Sequence, residues 1–157
     1  MSLESVRAFF AEKAPDIAII EQAASTATVA EAAATLGVEP GRIAKSLSLR
    51  VNDQVMLVVT RGDARLDNRK TKAAFGGRPR MLGAEEVEAI TGHLPGGVCP
   101  FGLAAPIPVY CDISLRAFDT VYPAAGSRTA SVCIAPHRLA DITGAQWVDI
   151  CEIARAE

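Results

Sequence analysis

Histidine is scarce in this chain, its cysteines fall into no recognised pairing pattern, and it has no long apolar run. The two histidines, His93 and His137, lie far apart, which is poor material for a metal site. The four cysteines, Cys99, Cys111, Cys133 and Cys151, contain no C-x-x-C pair, which excludes zinc-ribbon and thioredoxin-like readings. Three of them sit in apolar or strand-like stretches, so buried free thiols are expected. No metal and no cofactor is anticipated. No apolar run approaches the ~20 residues of a membrane span. Residues 1–4 show no basic region leading into an apolar stretch, so no membrane contact and a cytoplasmic location are expected. A P-loop, G-x-G-x-x-G, H-E-x-x-H and G-x-S-x-G are all missing, which removes the common nucleotide, zinc-protease and serine-hydrolase signatures. No nucleophile–base pair stands out. A hydrolase here has to rely on backbone groups, a lysine and the substrate itself.

What is present suits one compact domain spanning residues 1–157. Half of the chain is hydrophobic and 22% is charged, enough to bury a core without cross-links. The net charge of −2 conceals an asymmetry. Residues 42–80 hold ten of the sixteen basic residues and only three acids, a local net of +7 against −9 for the remainder. Such a segment either faces a nucleic acid or is a solvated surface with scattered arginines.

The periodicity predicts an amphipathic helix over 2–13, with Leu3, Val6, Phe9 and Phe10 on one stripe. A short strand is expected at 17–21. Thr28-Val-Ala-Glu31 reads as a capping box opening an alanine-rich helix that stops at Gly37. Residues 43–51 and 54–60 read as a hairpin turning at Asn52-Asp53. Asp67 caps a helix ending near Phe75, and a further helix spans 84–91 with Glu85, Glu86 and Glu88 on a solvated face. A loop is expected at 94–108, strands at 107–112, 120–122, 131–134 and 145–150, and a helix from Pro136 to Thr143. Hairpin-spaced strands interspersed with helices point to an α+β fold with a mixed sheet.

Three features carry chemistry. In the strand 43–51, Lys45 shares a face with Ile43, Leu47, Leu49 and Val51. No acid lies close to it in sequence. Its stem either snorkels past the strand edge or reaches into a cavity where an anion supplies the missing partner. Gly96-Gly97-Val98-Cys99-Pro100-Phe101-Gly102 is either a turn or a loop whose free N–H groups receive a carbonyl, carboxylate or phosphate. Ala124-Ala125-Gly126-Ser127-Arg128 is either a hairpin turn or a second anion contact.

Taken in order, Thr28-Val-Ala-Glu-Ala-Ala, Gly41-Arg-Ile-Ala-Lys45-Ser-Leu, Leu57-Val-Val-Thr-Arg-Gly-Asp63, the Gly96 loop and Ala124-Ala-Gly-Ser-Arg128 resemble the YbaK/EbsC family of prolyl-tRNA synthetase editing domains and free-standing relatives. The resemblance runs from about residue 28 to 150. It implies an α+β, barrel-like mixed sheet flanked by helices. It also implies metal-free hydrolysis of the aminoacyl ester of mischarged tRNA, with a synthetase as a further partner. On that resemblance Lys45 and Gly96 are the catalytic positions, and Lys45 holds the terminal adenosine and its phosphate. Ser46, Gly97, Val98, Cys99, Pro100, Gly126, Ser127 and Arg128 would bind the substrate. Alanine-editing relatives carry an asparagine where Ser46 stands and a histidine near Ala130 or Ser131, and neither is present. The resemblance therefore does not imply alanine specificity, while a lining by the small residues Ser46, Ser48 and Gly96 suits a small amino acid such as Ala, Ser, Thr or Cys. Two other readings share parts of this pattern: a non-catalytic tRNA- or nucleic-acid-binding module, and a small-metabolite-binding regulatory domain.

Overall fold

The computed structural model describes residues 2–153. Its elements run α1 (Ser2–Lys13), β1 (Ile20–Glu21), α2 (Val29–Leu36), β2 (Ile43–Val51), β3 (Gln54–Arg61), β4 (Ala64–Leu66), α3 (Asn68–Phe75), β5 (Arg80–Met81), α4 (Ala84–Thr91), β6 (Val109–Asp112), β7 (Tyr122–Pro123), β8 (Ala130–Ser131), α5 (Pro136–Thr143), β9 (Gln146–Val148) and β10 (Cys151–Ile153). Short 3₁₀ turns precede β2 and follow β6. Among the described residues, no helix is long and apolar enough to cross a membrane.

The central sheet has the order β5-β2-β3-β6-β9. β2 and β3 form an antiparallel hairpin whose turn residues Asn52 and Asp53 have φ of 49° and 64°, the left-handed values that a tight hairpin turn requires. β3–β6 and β6–β9 are parallel, so the sheet is mixed and the fold is α+β. β7 lies parallel to the start of β2, and β5 antiparallel to its end. Both therefore occupy the edge of β2 away from β3. A β4–β10 ribbon joins the ends of β3 and β9, and a β1–β8 ribbon stands apart.

Both faces of the sheet are buried. On one, Ala44, Leu57 and Val59 pack with Val6 and Phe10 of α1, Leu139 of α5, and Phe101. The Phe10 and Phe101 rings lie 4.6 Å apart. On the other, Leu49, Val51, Met56 and Val58 pack with Ala64, Ile150 and Cys151. Ala32 and Ala33 of α2 cover Ile43. The single apolar face expected for β2 is thus an underestimate, since Ala44 and Ser48 on its other face are also buried.

Local signals set the helices. Thr28 accepts from the Glu31 N–H and donates to the Glu31 carboxylate, Asp67 accepts from the N–H groups of Arg69 and Lys70, and Gly37 and Gly76 close their helices with positive φ. Several strands are shorter than expected. The 17–21, 131–134 and 145–150 segments keep only Ile20–Glu21, Ala130–Ser131 and Gln146–Val148 as ladders. Strands β4, β5 and β10 are additional to the expected set. Glu86 is not simply solvated, because it forms a two-pronged ion pair with Arg50. All four cysteines are free; three are buried and Cys133 is half-buried.

Candidate active site

β2 has an interrupted outer edge. β7 pairs with Ile43 and Ala44, β5 pairs with Leu49 and Arg50, and the Leu82 N–H donates to the Ser48 carbonyl. Among the described residues, no strand covers Lys45, Ser46 or Leu47 on that side. Main-chain groups alternate along a strand. Since Ser48 turns its carbonyl outward, Ser46 also directs its N–H and C=O to the open edge.

A cavity of about 180 Å³ lies against this gap. Lys45 and Ser46 form one wall, with Ile43 and Ala44 beside them. Gly96, Val98, Tyr122, Ala124 and Ser131, with Thr26, Ala27, Thr28, Val29 and Ala32, complete the lining. The cavity is small beside the ~300–1,000 Å³ of clefts that take drug-sized ligands. Its walls are built mostly of Ala, Gly, Ser, Thr and Val, which leave room for a small group only.

Ser46 is the unusual member. Its Oγ is buried and has no hydrogen-bond partner among the described residues. A buried hydroxyl left unpaired costs about 1–3 kcal/mol, and no group among the described residues offsets that cost.

Lys45 was expected to lack a protein partner, but it has one. Its Nζ donates to the Ala64 carbonyl at 2.5 Å. That bond directs the ammonium toward the start of β4, while the residue still lines the cavity. Burial lowers the Lys45 pKa, and negative charge at Cys151 or Asp63 would oppose that shift. The Cys151 thiol is itself pushed up to about 12, chiefly by burial. It is therefore protonated at neutral pH, and Asp63 is the charge that matters to Lys45. Asp63 is ionised because Arg61 donates to both its oxygens, at 2.5 and 2.9 Å, which lowers its pKa.

Gly96 has a φ of 91°, and a Cβ there would lie 3.0 Å from the Ala27 Cβ and 3.1 Å from Arg128 Cγ. Only glycine fits that conformation and approach. Arg128 lies across Gly96 and belongs to a second hollow of about 710 Å³, together with Gly97, Gly126 and Ser127. A Cβ on Gly97 would meet the Gly126 and Ser127 backbone at 2.8 Å, so Gly97 packs against that turn.

The expected site residues therefore divide. Lys45, Ser46, Gly96 and Val98 come together at the small cavity. Gly97, Gly126, Ser127 and Arg128 line the neighbouring hollow, and Pro100 lines a third depression beside Phe9 and Leu103. Cys99 is fully buried beside His93, with its thiol pushed up to about 12 by burial, and lines neither the small cavity nor the two neighbouring hollows. It turns inward because its neighbour Phe101 anchors the loop in the aromatic cluster with Phe9 and Phe10. The 26–32 wall and Ser131 were not anticipated. Their only sequence trace is the run of small residues around the capping box. Thr26 reaches the site because its N–H and hydroxyl both donate to the Arg128 carbonyl.

The sequence pattern of the aminoacyl-tRNA editing domain matches residues 23–142. The chain belongs to that family of aminoacyl-tRNA deacylases. It is 47% identical to the uncharacterized protein YwhH of Bacillus subtilis (strain 168), over 97% of this chain and 98% of that one. It is 32% identical to EbsC of Enterococcus faecalis (strain ATCC 700802 / V583), a candidate Cys-tRNA(Pro)/Cys-tRNA(Cys) deacylase, over 80% of this chain and 76% of the other. A solved structure of a candidate trans-editing enzyme for prolyl tRNA synthetase superposes with a TM-score of 0.87 at 35% identity, covering 96% of this chain and 97% of that one. A proline–tRNA ligase of Bacillus licheniformis is 36% identical over 59% of this chain, which amounts to 16% of the ligase.

Proposed function

We propose that this chain acts in trans on mischarged tRNA and hydrolyses the ester to a small amino acid such as Ala, Ser, Thr or Cys. The observation that carries the reading is the 180 Å³ cavity at the open edge of β2, lined by Lys45 and by Ser46, whose buried hydroxyl has no hydrogen-bond partner among the described residues. The aminoacyl group enters between Ser46 and the Gly96–Val98 loop, and the Ser46 hydroxyl bonds its polar atoms. Lys45, whose ammonium is held by the Ala64 carbonyl, is the cation nearest the tRNA 3′ phosphate. Ester hydrolysis develops an oxyanion, and a main-chain N–H fixed on an open strand edge stabilises it without reorganising. The attacking water is placed by a ribose hydroxyl of the terminal adenosine, so proximity replaces a protein base. The candidate assignment of the EbsC relative as a Cys-tRNA(Pro)/Cys-tRNA(Cys) deacylase supports a substrate of this size.

The deciding experiment is deacylation of a panel of tRNAs mischarged with Ala, Ser, Thr, Cys and a bulky control, using wild type and Ser46→Ala. Turnover confined to small amino acids and weakened in the variant is expected. Turnover of the bulky control at the same rate, or of nothing, overturns the proposal.

A further inference from the structure

The basic segment 42–80 divides into cations that the fold neutralises and cations that it leaves alone. Arg50 pairs with Glu86, Arg61 with Asp63, Arg65 with Glu152 and Lys70 with Asp149. Among the described residues, Arg69, Lys72, Arg78 and Arg80 make no ion pair, and all four are exposed. Arg69 and Lys72 stand three apart on α3 and so share a face. Arg78 and Arg80 stand two apart on the extended approach to β5 and share a side.

Arg80 sits directly opposite Arg50 across the β2–β5 pair. Like charges facing one another across a strand pair are destabilising. Arg50 is relieved by Glu86, whereas Arg80 has no acid of its own. A cation held against another cation and left unpaired contributes nothing to the fold, and an external anion removes the conflict.

Position relates these four residues to the cavity. The Ala64 carbonyl that holds Lys45 begins β4, which leads directly into the Asp67 cap of α3. Arg80 pairs with Arg50, five positions along β2 from Lys45, roughly 17 Å at ~3.3 Å per residue. The unpaired nucleotides at the 3′ end of a tRNA span such a distance. We propose that Arg69, Lys72, Arg78 and Arg80 form a phosphate track that receives the acceptor-arm duplex of the tRNA while its 3′ end occupies the cavity. This inference rests on the editing reading given above. It names a surface that binds through the phosphates and is indifferent to base sequence.

The test compares the full chain with a variant carrying Arg69→Gln, Lys72→Gln, Arg78→Gln and Arg80→Gln. Each is assayed on a mischarged full-length tRNA and on the same amino acid esterified to a short 3′-terminal oligonucleotide. Each phosphate contact adds about 0.9 to the slope of log affinity against log salt, so losing four flattens the slope by about 3 to 4. Between about 50 and 200 mM salt, that is a difference on the order of 100-fold in the loss of affinity. The expected result is a tRNA kcat/KM that falls at least tenfold at low salt, with a flattened salt slope and unchanged turnover of the short substrate. An unchanged tRNA slope overturns the inference, as does an equal loss on both substrates. If wild type deacylates neither substrate, the editing reading fails separately. The track is then judged by binding of uncharged tRNA, where equal affinity of the two forms overturns it and weakened, salt-insensitive binding of the variant sustains it.

Discussion

Replacing Ser46 by alanine should make the protein more stable and a poorer catalyst at once. The hydroxyl is buried and has no partner among the described residues. Leaving such a group unpaired costs about 1–3 kcal/mol. Its removal leaves an oxygen-sized void that returns part of the gain, because surrounding side chains relax incompletely. A net stabilisation of about 1 kcal/mol is expected, which for a domain of this size raises Tm by about 2–4 °C. The same hydroxyl is assigned to the aminoacyl group, and one lost hydrogen bond of about 1.4 kcal/mol lowers kcat/KM about tenfold. Thermal unfolding and tRNA deacylation on one preparation decide both arms. A lower Tm would show that the hydroxyl has a structural partner, and unchanged kcat/KM would show that the substrate does not meet it. Either result refutes the reasoning, because the two effects share a single cause.

Lys45→Ala should keep a cooperative melt and reduce deacylation by about tenfold to a hundredfold, since a charge-assisted bond contributes about 1.5–3 kcal/mol. Lys45→Arg should restore only part of the rate, and full activity in the alanine form would remove Lys45 from the site. Gly97→Ala places a Cβ 2.8 Å from the Gly126–Ser127 backbone, an overpacking expected to cost about 1–3 kcal/mol in denaturant unfolding. His93 is buried, with Nε2 against the Phe101 carbonyl and Nδ1 against the Ser2 hydroxyl, and burial lowers its pKa. Its neutral form belongs to the folded state, so its contribution to stability is complete above the unfolded pKa of about 6.5 and is lost as pH falls toward the lower folded value. A Tm profile that declines below about pH 6.5 in wild type, and less so in His93→Asn, would support this; parallel profiles would not.

The sequence disclosed what short-range chemistry controls. Thr28 and Glu31, Asp67, Asn52-Asp53 and the helix-ending glycines act within a few residues of themselves, and each lies where its local role predicts. The three-residue partners β4 and β10 were not legible, because Ala64 and Ile153 meet only after the whole domain has closed. Strand alternation put Lys45 and Ser46 on opposite faces of β2, yet both line one cavity. The cavity sits at the edge of the strand rather than on a face, and the edge is defined by where β7 stops and β5 begins. The Gly96–Gly102 loop was read as one binding unit. Its residues instead disperse, because Cys99 and Phe101 are drawn into the core while Gly97 packs against a neighbouring turn. The wall formed by Thr26 to Ala32 depends on the Thr26–Arg128 contact, 102 residues apart in sequence, and so carried no local sign.

The interruption in β2 also bears on how the protein avoids its own kind. A free strand edge is a template on which another chain can add a strand, and proteins usually cover or charge such edges. Here the exposed stretch is only Lys45 to Leu47, closed off by β7 on one side and β5 on the other. A second polypeptide in extended conformation would collide with one of these short strands before making a stable ladder. The gap thus filters by length: it withholds its hydrogen-bonding groups from chains that would aggregate and keeps them available to a group the size of one amino acid.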